Sequence, residues 1–136
     1  MTVVQSYNQY GIVVNNVILP GAVLLLPKTS FLWNVNSMED ITVDSLKVLT
    51  MLSPRIEVCI LGTGNRTRRP PAELISWFGD QGISLDFMDS VNAFATFNVL
   101  TQEGRVAAAA CLPVEDYEKQ LEALKNASGG QPPSEK

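Results

Sequence analysis

The segment best equipped for chemistry is Gly62-Thr63-Gly64-Asn65-Arg66-Thr67-Arg68-Arg69-Pro70-Pro71. It follows the apolar run Ile56-Glu57-Val58-Cys59-Ile60-Leu61 and precedes an amphipathic stretch, so it reads as a loop from the carboxyl end of a strand to the start of a helix. Such a loop offers backbone N–H groups and a positive dipole end to an anion. Open α/β sheets bind ligands at that edge. Arg66, Arg68 and Arg69 put three of the chain's ten basic residues within four positions. The Lys-Ser/Thr of a P-loop and the third glycine of a dinucleotide fingerprint are both missing. Three roles stay open for the loop: a tight turn with solvated arginines, a docking patch for a protein partner, and a small-anion site.

Carboxylates are the next group. Asp86, Asp89 and Glu103 could do acid–base work only if a dry pocket raised one pKa. Helix capping accounts for Asp89, and a place beside the Gly104 turn accounts for Glu103. Because Asp89 and the arginine loop both follow strand ends, a salt bridge between them is expected to pin the two loops together. The candidate binding set, for a protein partner or an anion, is therefore Gly62, Gly64, Arg66, Arg68, Arg69 and Asp89. There is no histidine to activate a serine or threonine, and no Ser–Lys pattern stands in for one. Two cysteines in separate strands leave only carboxylates for a metal. The expectation is no catalytic residue, no metal and no cofactor.

Those side chains need a scaffold, and 136 residues suit one domain. A net charge of −4 and a pI near 4.7 argue against general nucleic-acid binding, which needs a basic face. No apolar run approaches the ~20 residues of a membrane span. Cys59 and Cys111 lie far apart in apolar segments and read as buried free thiols, as in a reducing compartment. No secretory or transit pattern is visible at the start of the chain, so a cytoplasmic location is carried as an alternative.

Residues 1–10 are polar and are expected to be flexible. Gly11–Val14, Val17–Leu19, Val23–Leu26 and Phe31–Val35 read as four short strands of one antiparallel meander, with Asn15-Asn16 as a tight turn. Thr42 then caps a helix carrying Val43, Leu46, Leu49 and Leu52, stopped by Pro54. Ile56–Leu61 is a strand covered on both faces. Pro70-Pro71 opens a second helix that ends at Gly82. Ile83, Leu85 and Phe87 alternate as a strand, Asp89 caps a third helix, and Val106–Leu112 is the last strand. Trp33 reads as core more readily than as an exposed anchor. Val114–Asn126 reads as a terminal helix with a Glu115–Lys119 pair, and residues 127–136 as a disordered tail. The fold class is α/β: residues 11–126 as a single three-layer domain with a central mixed sheet, helices and a small extra β layer.

Several stretches also carry a family resemblance: GAVLLLPKTSFLWNV from Gly21, Ser37-x-Glu39-Asp40, Gly62-Thr63-Gly64-x-Arg66, Met88-Asp89-Ser90, Thr96-Phe97-Asn98 and Glu103-Gly104-Arg105-Val106-Ala107-Ala108-Ala109. Taken in order over roughly 100 residues, the chain resembles the mitochondrial complex I (NADH dehydrogenase) assembly factor 3 family, with its bacterial and adipogenesis-associated relatives. The resemblance implies a non-catalytic, chaperone-like assembly factor acting early on the matrix-arm and quinone module. Its implied partners are complex I matrix-arm subunits and a second assembly factor. Its implied location is the matrix side of the inner membrane, peripheral to it. The adipogenesis-associated relatives imply a cytosolic or nuclear regulatory protein instead. One position departs: Ala95 stands where the family usually has an arginine, which weakens any anion site shared with Arg66.

Overall fold

Strands buried at every position must lie between two layers, whereas strands whose burial alternates need cover on one face. That distinction divides the chain. The computed structural model describes residues 1–8 and 11–114. Its strands are β1 (Val4–Asn8), β2 (Gly11–Val14), β3 (Val17–Leu19), β4 (Val23–Leu25), β5 (Ser30–Leu32), β6 (Val58–Gly62), β7 (Ser84–Met88) and β8 (Ala107–Cys111). Its helices are α1 (Val43–Leu46), α2 (Ala72–Gln81) and α3 (Ser90–Gln102), with 3-10 turns at Met38–Asp40 and Lys47–Thr50.

The fully buried β4, β6 and β8 form the middle of a five-stranded sheet ordered β5-β4-β8-β6-β7. β8 runs parallel to β6 and antiparallel to β4, so the sheet is mixed. Side-chain parity sends Leu24, Cys59, Leu61, Ala108 and Ala110 to one face, where Trp33, Leu74 of α2 and Phe78 of α2 pack on them. Val23, Leu25, Ile60, Ala109 and Cys111 face the other way, toward Phe94 and Phe97 of α3 and Val4, Ile12 and Val14 of the small sheet. The four alanines of β8 have no measurable exposure and leave room at the centre of the sheet for these aromatic rings. The α/β class and the three layers agree with the sequence reading.

Four expectations change. The single meander splits at Pro20-Gly21. The strands β1-β2-β3 make a separate antiparallel sheet, while β4 and β5 join the central one. The burial of β2 alternates and that of β4 does not, which is why only β4 can sit between two layers. Residues 4–8, expected to be flexible, form β1. The Asn98 side chain holds that strand, accepting from Val4 N–H at 3.0 Å and donating to the Val4 carbonyl at 2.8 Å.

The helix after Thr42 is shorter than its periodicity suggests. Thr42 and Ser45 form the expected cap, each side chain accepting the other's backbone N–H. After one turn, at Lys47, the chain tightens into a 3-10 turn. There Trp33 Nε1–H donates to the Ser45 carbonyl at 3.0 Å. The fourth change concerns Asp89 and appears with the site. The terminal helix, its Glu115–Lys119 pair and the tail lie outside the described residues.

Candidate functional site

The loop after β6 is shaped by close packing beneath it. At Gly62 an added Cβ would lie 2.8 Å from Cys111 Sγ and 2.9 Å from Ser90 Oγ, so no larger residue fits. Thr63 is buried, and its hydroxyl lies 2.6 Å from the Arg66 carbonyl and 3.1 Å from the Met88 carbonyl. The same oxygen accepts the Arg68 N–H at 3.1 Å. Thr63 N–H donates to the Met88 carbonyl at 2.8 Å. Gly64 has φ +96°, a conformation open to glycine, and its N–H donates to Ser90 Oγ at 2.9 Å. The backbone amides of Thr63, Gly64 and Arg68 are thus all used inside the protein. A phosphate cradle needs such amides turned outward. Here they are not.

What the loop presents instead is side chains. Arg66, Arg68 and Arg69 are exposed. Arg68 Nη2 sits 3.5 Å from Glu39 Oε2 across a cleft rim. The Glu39 carboxyl is held below its ordinary value by its own backbone N–H, then by the Ser37 hydroxyl and Arg68. The pair is too solvated to add much stability, so its effect is positional.

Between the loop and the turn at Met38–Asp40 lies a cleft of ≈ 400 Å³, lined by Ser37, Met38, Gly64, Arg66, Arg68 and Pro113 among others. Arg69 is not among its lining residues. Sequence reasoning missed the wall formed by Ser37 and Met38. Its signal was Glu39 and Asp40, an acidic pair available to the arginines.

Asp89 does not pair with the arginine loop, contrary to expectation. Its carboxylate caps α3, accepting Asn92 N–H at 3.1 Å and Asn92 Nδ2–H at 2.6 Å. These bonds, that of the Asn92 side chain foremost, hold its carboxyl below the ordinary value. The two loops are tied by a neutral bond instead, from Asp89 N–H to Thr67 Oγ1 at 3.2 Å. A carboxylate already satisfied by its own helix start has little to gain from a solvated arginine. Gly62, Gly64, Arg66 and Arg68 are therefore gathered around one loop, while Asp89 and Arg69 stand outside the cleft.

The cysteines are free and buried on opposite faces of the central sheet. Burial pushes the Cys59 thiol up to about 12 and the Cys111 thiol further still. Neither thiol is a nucleophile at neutral pH. Among the described residues no helix is long and apolar enough to cross a membrane.

With this geometry in view, the chain can be set beside known proteins. Residues 4–112 match the family described as protein of unknown function (DUF498/DUF598). The NADH dehydrogenase (ubiquinone) 1 alpha subcomplex assembly factor 3 of Rattus norvegicus is 43% identical over 110 residues, covering 81% of this chain and 60% of that protein. The Homo sapiens protein of the same name is 42% identical with the same coverage. The chain thus spans 60% of the length of these curated relatives. A crystal structure of a Bordetella parapertussis protein superposes with a TM-score of 0.76 at 31% identity, covering 83% of this chain and 96% of that one. The match over nearly all described residues, in sequence and in fold, places the chain in the DUF498/DUF598 family.

Proposed function

We propose that this domain is a non-catalytic interaction protein that assists the assembly of respiratory complex I. It would act early, on the matrix-arm and quinone module, together with a second assembly factor. Its place would be the matrix side of the mitochondrial inner membrane. The observation that carries this reading is the division of labour in the 62–69 loop. Its amides at Thr63, Gly64 and Arg68 are satisfied internally, whereas three arginines stand exposed on a protein of net charge −4. Such an arrangement steers and orients an acidic protein surface rather than enclosing a phosphate. The names of the relatives supply the client class.

One further observation supports the absence of catalysis. Acid–base work at neutral pH needs a carboxyl with a raised pKa. The shifts seen at Glu39, Glu57 and Asp89 all run downward.

Affinity purification of the tagged protein from its native cells, followed by mass spectrometry, tests the reading. The expected result is recovery of complex I matrix-arm subunits and a second assembly factor. Charge reversal at Arg66, Arg68 and Arg69 should cut that recovery about tenfold, at unchanged folding. Equal recovery by a folded triple variant would remove the arginine loop from the mechanism.

A further inference from the structure

We propose that the cleft between the 63–68 loop and the Met38–Asp40 turn seats an extended acidic segment of the partner, anchored by a carboxylate on Arg66. This rests on the docking reading above and names the chemistry that would be docked.

Three steps lead to it. The first is which arginine is available. Arg68 already faces Glu39 at 3.5 Å, and Arg69 lies outside the lining of the cleft. Arg66 lines the cleft and takes part in none of the ion pairs found among the described residues, which are Lys47–Asp44, Arg68–Glu39 and Arg105–Glu57.

The second step is which anion fits. A phosphate draws on several outward amides, and the amides of Thr63, Gly64 and Arg68 are taken up by Met88, Ser90 and Thr63 respectively. A lone guanidinium fork matches the two oxygens of a carboxylate. The rim of the cleft already shows this chemistry, since Glu39 is the carboxylate that Arg68 faces.

The third step is room. Gly64 itself is buried, with the Pro113 carbonyl in van der Waals range of an added Cβ at 3.7 Å, so the accessible part of the loop is the exposed stretch 65–68 beside the cleft. The ≈ 400 Å³ of the cleft lies within the range of pockets that enclose a ligand. Met38 and Leu112 add apolar wall beside the arginine, and Pro113 adds an exposed surface. The segment that suits this lining carries an Asp or Glu beside a small apolar residue. Charge complementarity favours it from a distance, because the three arginines form a local positive patch on an acidic protein.

The test selects a randomised peptide library displayed on phage against the intact chain, with R66E as the counter-target. Enriched peptides should carry Asp or Glu. A synthesised enriched peptide should lose about tenfold or more in affinity with R66A, an intermediate amount with R66K, and less than about twofold with R105A, whose arginine pairs with Glu57 at the other end of the sheet. Acetate and inorganic phosphate serve as competitors, and displacement by phosphate at far lower concentration than acetate would make this a phosphate site and overturn the proposal. So would a selection that yields no Arg66-dependent peptide, or peptides without acidic residues. Recovery of complex I subunits that survives R66A overturns the cleft assignment and leaves assembly standing. Arg66-dependent acidic peptides with no complex I recovery do the reverse.

Discussion

Ser90 and Gly64 are joined twice. Ser90 N–H donates to the Gly64 carbonyl at 2.9 Å, and Gly64 N–H donates to Ser90 Oγ at 2.9 Å. The same hydroxyl then donates to the Leu112 carbonyl at 2.7 Å. One buried side chain therefore ties the arginine loop, the start of α3 and the end of β8. Ser90→Ala leaves a buried N–H and a buried carbonyl short of a partner, at a cost of about 1–3 kcal/mol. Urea unfolding should show this as a lower midpoint with an unchanged slope. A midpoint equal to wild type would mean that water replaces the hydroxyl and that the loop is not held this way.

Gly62 is demanded by space. An alanine there would push its methyl to 2.8 Å from Cys111 Sγ and 2.9 Å from Ser90 Oγ, both in fully buried residues. Forcing one methyl into such a site costs about 1–3 kcal/mol. Combining it with Cys111→Ala removes the nearest atom, so the double variant should be less destabilised than the two single effects added. Additive losses in a denaturant double-mutant cycle would contradict the contact.

How much of this could be read from residue order differs from element to element. The strand at Ile56–Leu61 and the last strand were legible as continuous apolar runs, and the helices opened by Pro70-Pro71 and by Asp89 through the residues that start and stop them. β1 was not, since Val-Gln-Ser-Tyr-Asn shows no apolar pattern, and its partner Asn98 lies 94 residues from Val4. The break between the two sheets was not legible either, because β2, β3 and β4 are all apolar in sequence and differ only in how the fold buries them. At the site, the cluster of arginines was plain. Which of its amides were free was not, because Ser90 and Met88, which take them up, come from another βα junction. The Ser37–Met38 wall and the Glu39–Arg68 pair are likewise set by tertiary packing, with the acidic Glu39-Asp40 pair as their one trace in the sequence.

The Asn98 clamp gives a prediction of its own. Its amide completes both backbone groups of Val4, in the manner of an added strand. Asn98→Ala removes both bonds while leaving the β1–β2 pairing in place. Hydrogen exchange should quicken at Val4 before it quickens in β6 or β8. Protection at Val4 that matches wild type would show that the small sheet holds the strand without the clamp.

Stability at alkaline pH should report the buried thiols. Burial raises Cys59 from an ordinary 9.0 to about 12. Cys111 shifts in the same direction, through burial first and then through Cys59 nearby. Below pH 9 both thiols are neutral folded or unfolded, so their stabilising effect is fully present and constant. Above pH 9 the unfolded chain ionises them while the folded protein does not. The folded state then binds more protons, and stability falls with rising pH, by up to about 1.4 kcal/mol per pH unit for each thiol. For Cys59 that loss continues until about pH 12. The double variant Cys59→Ala/Cys111→Ala begins less stable, because it leaves small cavities. Its further loss between pH 8 and pH 10 should nevertheless be smaller than that of wild type by about 1–3 kcal/mol in urea unfolding. Parallel pH profiles for the two proteins would show that these thiols are not held neutral by the fold.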